Sequence, residues 1–214
     1  AARNANVPPF LQADLVDPMV LPTFGPEILD ATEIGIKTDF LDGRARANIA
    51  IFDYSYEDLQ IQATDPDVYR GGVVNLPESE VQGLEIEFTA SLTDSLILDA
   101  NLAFLDTEIT KSYMYLDNVI AQQYGFTKET EREAAAQDII GNELPKSPKF
   151  TADISLIYTA DLSSGDVFNS AIQFIKRGKF FQRVANNTDY GANDVVDGYD
   201  IFNIMAGIDY ASGW

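Results

Sequence analysis

The chain has 214 residues, 46% of them hydrophobic, with 34 acidic against 14 basic side chains, a net charge of −20, no cysteine and no histidine. That charge argues against binding nucleic-acid phosphates and against a cationic membrane-surface helix. The missing thiols and imidazoles remove disulfides, thiolate metal sites, the commonest zinc ligand and the usual base of a nucleophilic triad. No apolar run approaches the ~18 residues of a membrane-spanning helix. The opening AARNANVPPF is neither a signal peptide nor a lipidation motif, and without an initial methionine it reads as part of a longer chain.

Period-two alternation predicts seven strands. The first covers Thr32 to Phe40, with Ile34, Ile36 and Phe40 opposite Glu33, Gly35, Lys37 and Asp39. Leu41-Asp42-Gly43 is a hairpin turn signal, and a second strand runs from Arg44 to Gln62. This strand changes parity: Ile49 and Ile51 share one face, while Phe52, Tyr54 and Tyr56 share the other. A bulge near Ile51 or Phe52 would reconcile the two halves, and so would a strand passing from one environment into another.

The third strand, Val73 to Ala90, sets Leu84, Ile86 and Phe88 against Glu85 and Glu87. The fourth, Leu96 to Thr107, sets Leu98, Ala100, Leu102 and Phe104 against Asp99 and Asn101. The fifth runs from Phe150 to Tyr158, with Ile154 and Leu156 opposite Asp153 and Ser155. The sixth covers Val167 to Phe181, and the seventh Tyr199 to Tyr210, with Phe202 and Ile204 opposite Asn203.

The connections alternate in length. Brief turns join the first and second, third and fourth, and fifth and sixth strands, while 63–73, 111–147 and 184–198 are expected as long loops. Strands reverse at every turn, so brief turns gather at one end and long loops at the other, the habit of membrane β-barrels. Within 111–147 a short helix is expected, with Thr130 and Glu133 as a capping box and Gly141 as its stop.

These blocks, in this order, resemble the barrel of TonB-dependent outer-membrane receptors. Gly25-Pro26-Glu27 leads into Glu33-Ile34-Gly35-Ile36-Lys37; the turn Leu41-Asp42-Gly43-Arg44 follows, then an aromatic strand with Phe52, Tyr56, Asp58 and Gln60. EVQGLEIEF and LILDANLAFLDTEIT are similar to the next two strands, and Leu144-Pro145 with Pro148-Lys149 to the approach to another. The resemblance implies an all-β antiparallel meander of seven long strands, an incomplete portion of a transmembrane β-barrel of about 22 strands. It also implies an N-terminal plug and an energy-coupling segment that have no counterpart in these 214 residues, with Trp214 a truncation point rather than a barrel end. Seven strands fall short of the smallest barrels, which need about eight.

On that resemblance, the whole receptor takes up a scarce nutrient, such as a ferric siderophore, cobalamin or an oligosaccharide, across the outer membrane of a Gram-negative bacterium. Its expected partners are outer-membrane lipid, a small-molecule ligand and, through the missing plug, the energy-coupling TonB complex; nucleic acid is not among them. No catalytic residue, cofactor or metal site is expected. Glu33, Lys37, Glu85, Glu87, Asp99, Asn101, Asp153 and Asn203 are expected to face the lumen. Tyr113, Tyr115, Tyr124 and Phe126 are candidates for ligand contact in the long loop, or for that loop's own packing.

Tyr54, Tyr56, Tyr158 and Tyr210 suit an interfacial girdle. Lys176, Arg177, Lys179 and Arg183 form a local basic cluster, read as lumen or rim charges or as contacts to lipopolysaccharide phosphates. Asp65, Asp67, Asp189, Asp194 and Asp197 offer oxygen ligands in loops, but no spacing matches a calcium loop. Alternation alone also fits a soluble all-β carbohydrate-binding module or hydrolase domain, with Glu85 and Glu87 as an acid pair.

Overall fold

The structure is a computed structural model that describes residues 24–65, 70–117, 119–120, 129–188 and 194–211. Seven strands form one antiparallel sheet, each hydrogen-bonded to the next long strand in the chain. They are β1 (Ile28–Phe40), β2 (Ala45–Asp65), β3 (Arg70–Thr93), β4 (Leu96–Ile109), β7 (Phe150–Asp161), β8 (Val167–Arg177) and β11 (Tyr199–Asp209). The sheet is open, with β1 and β11 at its edges. Between β4 and β7 lie β5 (Met114–Tyr115), helix α1 (Glu129–Ala135) and β6 (Gln137–Asp138); between β8 and β11 lie β9 (Phe180–Phe181) and β10 (Val195–Val196). No helix among the described residues is long and apolar enough to cross a membrane, which says nothing of strands.

The first turn shows why the chain reverses where it does. Leu41, Asp42 and Gly43 all take positive φ, at 54°, 56° and 81°, and the Arg44 amide closes back on the Leu41 carbonyl at 3.1 Å. Left-handed backbone matches the twist of the flanking strands, and glycine takes it without a Cβ penalty. The turns after β1, β3 and β7 lie at one end of the sheet.

At the other end one expectation changes. Residues 63–73 are not a long loop: β2 continues to Asp65 and β3 resumes at Arg70, so the pair is a hairpin of 21 and 24 residues. Cross-strand pairing from Leu59↔Leu76 to Asp65↔Arg70 satisfies backbone that a loop would have left to water. The predicted helix is also corrected. It begins at Glu129, so Thr130 sits inside the first turn instead of capping it. Gly141 does not end it either; β6 intervenes, and Gly141 (φ 82°) turns the chain so that its amide donates to the Ile109 carbonyl at 2.8 Å. Strand β8 stops at Arg177, and Phe180–Phe181 forms a separate ladder with Val195–Val196.

Antiparallel partners share a face, so the register sorts the side chains. One face carries Ile34, Ile51, Leu84, Phe104 and Phe150 in one row, and Thr38, Ala47, Phe88, Ala100, Ile154, Phe174 and Phe202 in another. Ring pairs knit it together, with Phe104–Phe150 at 5.0 Å and Phe174–Phe202 at 4.8 Å between centroids. The opposite face carries the carboxylates and amides. Among the described residues no second layer covers the apolar face: Ile204 is 79% exposed and Ile34 76%.

The parity change in β2 has no bulge behind it. Pairing with β3 runs without a shift from Ala45 to Glu57. The environment changes instead. Past the Ile34 row, the formerly apolar face continues as Thr32, Asp53, Gln82 and Asp106, then Asp30, Ser55, Glu80 and Glu108. The other face turns apolar at the same level, with Phe52, Tyr54, Tyr56, Val81 and Ile109.

Farther along, alternation slips once. Asp58 (φ 57°) faces Pro77 without pairing, and Leu76 and Ser79, three residues apart, are both fully buried. Asp58 leaves the Gln60 amide free for the Glu27 carboxylate (3.1 Å), and Asn75 bonds the Gly25 amide and carbonyl and the Asp58 carbonyl. The Gly25-Pro26-Glu27 motif therefore clips the start of β1 onto this irregular stretch.

Candidate functional site: the polar face and the loop cluster

All eight residues predicted to line a lumen lie on the polar face, in four adjacent rows. Lys37, Glu87, Asn101 and Asp153 share one row with Asn48. Asp99 and Asn203 share the next with Asp39, Arg46, Thr89, Ser155 and Gln173. Glu85 lies on the other side, flanked by Ala50 and Ala103, and Glu33 shares its row with Phe52 and Gly83. The small side chains of Gly35 and Ala50 leave a recess bordered by Glu33, Lys37, Asn48, Glu85 and Glu87.

Cross-strand hydrogen bonds tie this face together. Asn48 donates to Glu87 at 2.9 Å, Thr89 to Asp99 at 2.7 Å, Gln173 to Asp153 at 2.9 Å, and Asn203 to Gln173 at 2.9 Å. Arg46 bonds Asp39 at 2.7 Å, but both are well exposed, so the pair helps set register more than it stabilises. Alternation located the face; it did not single out Asn48, Arg46 or Gln173, whose importance comes from their partners on neighbouring strands.

The aromatic residues need a correction. Tyr54 and Tyr56 stand on the polar face, with Phe52, and so are not part of an apolar-face girdle. Phe52 stacks on Tyr54 at 4.8 Å, and the Tyr54 hydroxyl donates to Glu33 at 3.4 Å. Tyr158 pairs with Leu96 and Tyr210 follows the parity of Ile208, which puts both on the apolar side near the short-turn end.

The basic cluster also separates, because consecutive strand residues point to opposite faces. Lys176 bridges Asp200 at 3.0 Å at the margin of the apolar face, Arg177 lies on the polar face, and Lys179 sits 5.5 Å over the Phe181 ring. Arg183 is bound to Asp117 and Asp194.

At the long-loop end a second core forms. Leu76 and Ile109 from the sheet pack with Tyr115, Ile139, Leu144, Val184 and Ala185. Tyr115 is only 3% exposed, so its ring belongs to this cluster, and Tyr113 packs against it. Tyr124 and Phe126 lie outside the described residues, as do Asp67 and Asp189. The Leu-Pro-x-x-Pro-Lys stretch joins this core to the sheet. The Leu144 amide donates to the Thr107 hydroxyl at 3.0 Å, and Lys149 bridges Asp106 and Glu143 at 3.1 and 3.2 Å.

Next to Val184 of this core, Arg183 donates through Nη1 to Asp117 Oδ1 (2.6 Å) and through Nε to Asp194 Oδ1 (2.5 Å). Both carboxylates are 1% exposed, and Asn187 satisfies their other oxygens through its side-chain amide and its backbone N–H, each at 2.9 Å. Asp194 is one of the loop aspartates that offer oxygen ligands, and its carboxylate is taken up by the guanidinium and Asn187. Nothing in local sequence signals the Arg183–Asp117 pair, because 66 residues separate the two.

Tyr115 and Asp138 are two of the loop groups shifted from their ordinary values. Burial, reinforced by the nearby Asp117 charge, pushes the Tyr115 phenol up to about 12 from 10.0. The folded state therefore holds this proton more tightly. Its contribution is fully present below about 10 and is lost as pH rises toward 12. We expect Tyr115 to ionise last in an alkaline titration followed by ultraviolet absorbance, and Tyr115→Phe to remove that late step.

The Ser112 hydroxyl, helped by the amides of Ile140 and Tyr113, holds the Asp138 carboxyl below its usual range. That contribution is present above the ordinary aspartate pKa of about 3.9 and is lost as pH falls through the lowered value. Hydrogen exchange at Tyr113 and Ile140 should accelerate only below that range, and Asp138→Asn should abolish the acid dependence.

An open antiparallel sheet that is apolar on one face and acidic on the other, with brief turns at one end and two long loops beside an extended hairpin at the other, is the geometry of a membrane-barrel wall. Comparison with known proteins agrees. The profile of the family described as TonB dependent receptor-like, beta-barrel, matches residues 4–214.

The chain belongs to the TonB-dependent receptor β-barrel family.

A probable TonB-dependent siderophore receptor PiuA of Acinetobacter baumannii is 29% identical over 133 residues, which is 62% of this chain and 16% of that protein. The metal-pseudopaline receptor CntO of Pseudomonas aeruginosa is 33% identical over 88 residues, 41% of this chain and 12% of that protein. The matches thus span less than a fifth of the length of these relatives. Among solved structures, the siderophore receptor PiuA from A. baumannii superposes with a TM-score of 0.60 at 24% identity, covering 83% of this chain and 22% of that one. The ferric yersiniabactin uptake receptor FyuA from Yersinia pestis gives 0.60 at 15% identity, covering 87% and 24%. At such identities the superpositions speak for the fold. The relatives are receptors and transporters by name, and family membership displaces the soluble-module alternative that alternation left open.

Proposed function

We propose that this TonB-dependent receptor barrel segment forms part of the wall of an outer-membrane active transporter that imports a ferric siderophore or a related metal chelate into a Gram-negative bacterium. The observation that carries the reading is the change of polarity along the sheet. One face is oily from Leu96 to Phe104 on β4 and from Phe150 to Tyr158 on β7, the roughly 9–11 residues that a tilted strand needs to cross hydrocarbon. Beyond that level the same face turns acidic, as an outward surface would on leaving the lipid.

In this reading Glu33, Lys37, Glu85, Glu87, Asp99, Asn101, Asp153 and Asn203 line a hydrated lumen, where water solvates their polar and charged groups. The described parts of the loops at 110–149 and 178–198 face the exterior. The wall supplies a path and no bond is broken in it; motion comes from an energy-coupling TonB complex acting on a plug. The two curated relatives described above, one a siderophore receptor and the other a metal-pseudopaline receptor, favour an iron or metal chelate over the cobalamin and oligosaccharide that the family resemblance also admits.

Deleting the gene for the full-length protein tests this directly. Growth under iron limitation on a panel of ferric siderophores should fail for one chelate class and recover on complementation. Unimpaired growth on every chelate, together with loss of cobalamin or oligosaccharide use, would move the substrate. A parent protein that is extracted without detergent would defeat the membrane assignment.

A further inference from the structure

We propose that the outward face of β4, β7, β8 and β11 holds the phosphorylated lipid A of lipopolysaccharide, with Lys149 and Lys176 binding its phosphates and the phenylalanine pairs beside them taking its acyl chains. Contact of this face with a membrane rests on the receptor reading above; the choice of this sector rests on where the charges stand.

Two lysines stand where the oily band meets the loops. Lys37, Arg46 and Arg177 lie on the polar face, whereas Lys176 and Asp200 close the outward row that runs from Ile36 to Ala152. That row is the last outward one on β8, which ends at Arg177. Lys149 immediately precedes β7, and its ammonium reaches Asp106 on the same outward face at 3.1 Å. On the band side of each lysine lies a ring pair, Phe104–Phe150 next to Lys149 and Phe174–Phe202 next to Lys176, and Phe202 is 69% exposed. Cations at headgroup level above rings at acyl level match an amphiphile with an anionic head.

Past the band, the rest of the outward face repels phosphate. There β1, β2 and β3 present Asp30, Asp53 and Glu80, and Lys111, just after β4, is held by Glu78. Lys176 and Lys149 have carboxylate partners of their own, Asp200 and Asp106, but these four side chains are between 43% and 74% exposed. Exposed pairs of this kind hold weakly. A phosphate carries more charge and more acceptor oxygens than one carboxylate, so it competes for both lysines.

Native mass spectrometry of the full-length receptor, titrated in detergent with lipid A, tests the sector. The receptor should retain bisphosphorylated lipid A under conditions that strip the dephosphorylated form. Lys149→Gln/Lys176→Gln should retain one phosphorylated lipid fewer, while Lys111→Gln matches the parent. Asp200→Asn, which frees Lys176 from its partner, should load that lipid at roughly fivefold lower concentration, a gain that a folding defect does not produce. Equal retention of the two lipids, unchanged retention in the double variant, the same loss in Lys111→Gln, or no gain from Asp200→Asn overturns the proposal. These readouts need no chelate, so failure of the lipid site is distinguishable from failure of the uptake reading, which the deletion strain reports.

Discussion

Replacing Phe88 by arginine is expected to cost about 2–4 kcal/mol of assembly free energy in a bilayer, because its ring sits mid-band on the apolar face between Ala47 and Ala100. A guanidinium there must lose its hydration or deform the membrane around it. Two matched substitutions make the number diagnostic. Glu85→Arg, three residues away on the polar face, is expected to cost less than about 1 kcal/mol, because that face is wet in the transporter reading. Gln82→Arg, on the apolar side but past the band, is likewise expected to be nearly neutral. Reversible folding of the full-length receptor into lipid vesicles, followed by urea titration, measures all three. Equal costs at Phe88 and Glu85 would mean that the two faces do not meet lipid and water as assigned.

Gly83→Ala is expected to destabilise the receptor by about 2 kcal/mol, for a reason that does not involve lipid. A Cβ at this position would lie 2.3 Å from Phe52 Cζ and 2.8 Å from the Phe104 carbonyl oxygen. The edge of the Phe52 ring closes on the glycine and Phe52 is only 8% exposed, so the ring has to swing away and give up its stack on Tyr54. The same urea titration should show a lower midpoint. Shortening the ring in a Phe52→Leu/Gly83→Ala double variant should recover part of the loss, giving a coupling energy on the order of 1 kcal/mol between two residues in contact. Additive effects would show that the ring does not depend on the bare backbone beneath it.

Much of this fold was readable as pattern. Alternation of oily and acidic residues located all seven long strands, and because a strand's side chains repeat every two residues, the face shared by Glu33, Lys37, Glu85, Glu87, Asp99, Asn101, Asp153 and Asn203 followed from parity alone. Turn chemistry placed the reversal at Leu41-Asp42-Gly43. The parity change at Phe52 was visible too, though two explanations fitted it.

What parity could not supply was everything that depends on a distant partner. Whether 63–73 is loop or ladder turns on strands that pair only after the chain has folded back. Which side Tyr54 and Tyr56 occupy depends on where the sheet leaves one environment for another, and that level is set by neighbouring strands. Arg183 looked like one of four clustered cations until folding brought Asp117 across 66 residues to meet it. Local sequence encodes the period of a strand through the steric alternation of its own backbone. Charge pairing and burial arise from residues far apart in the chain, and only the assembled sheet and its loops bring those residues within bonding distance.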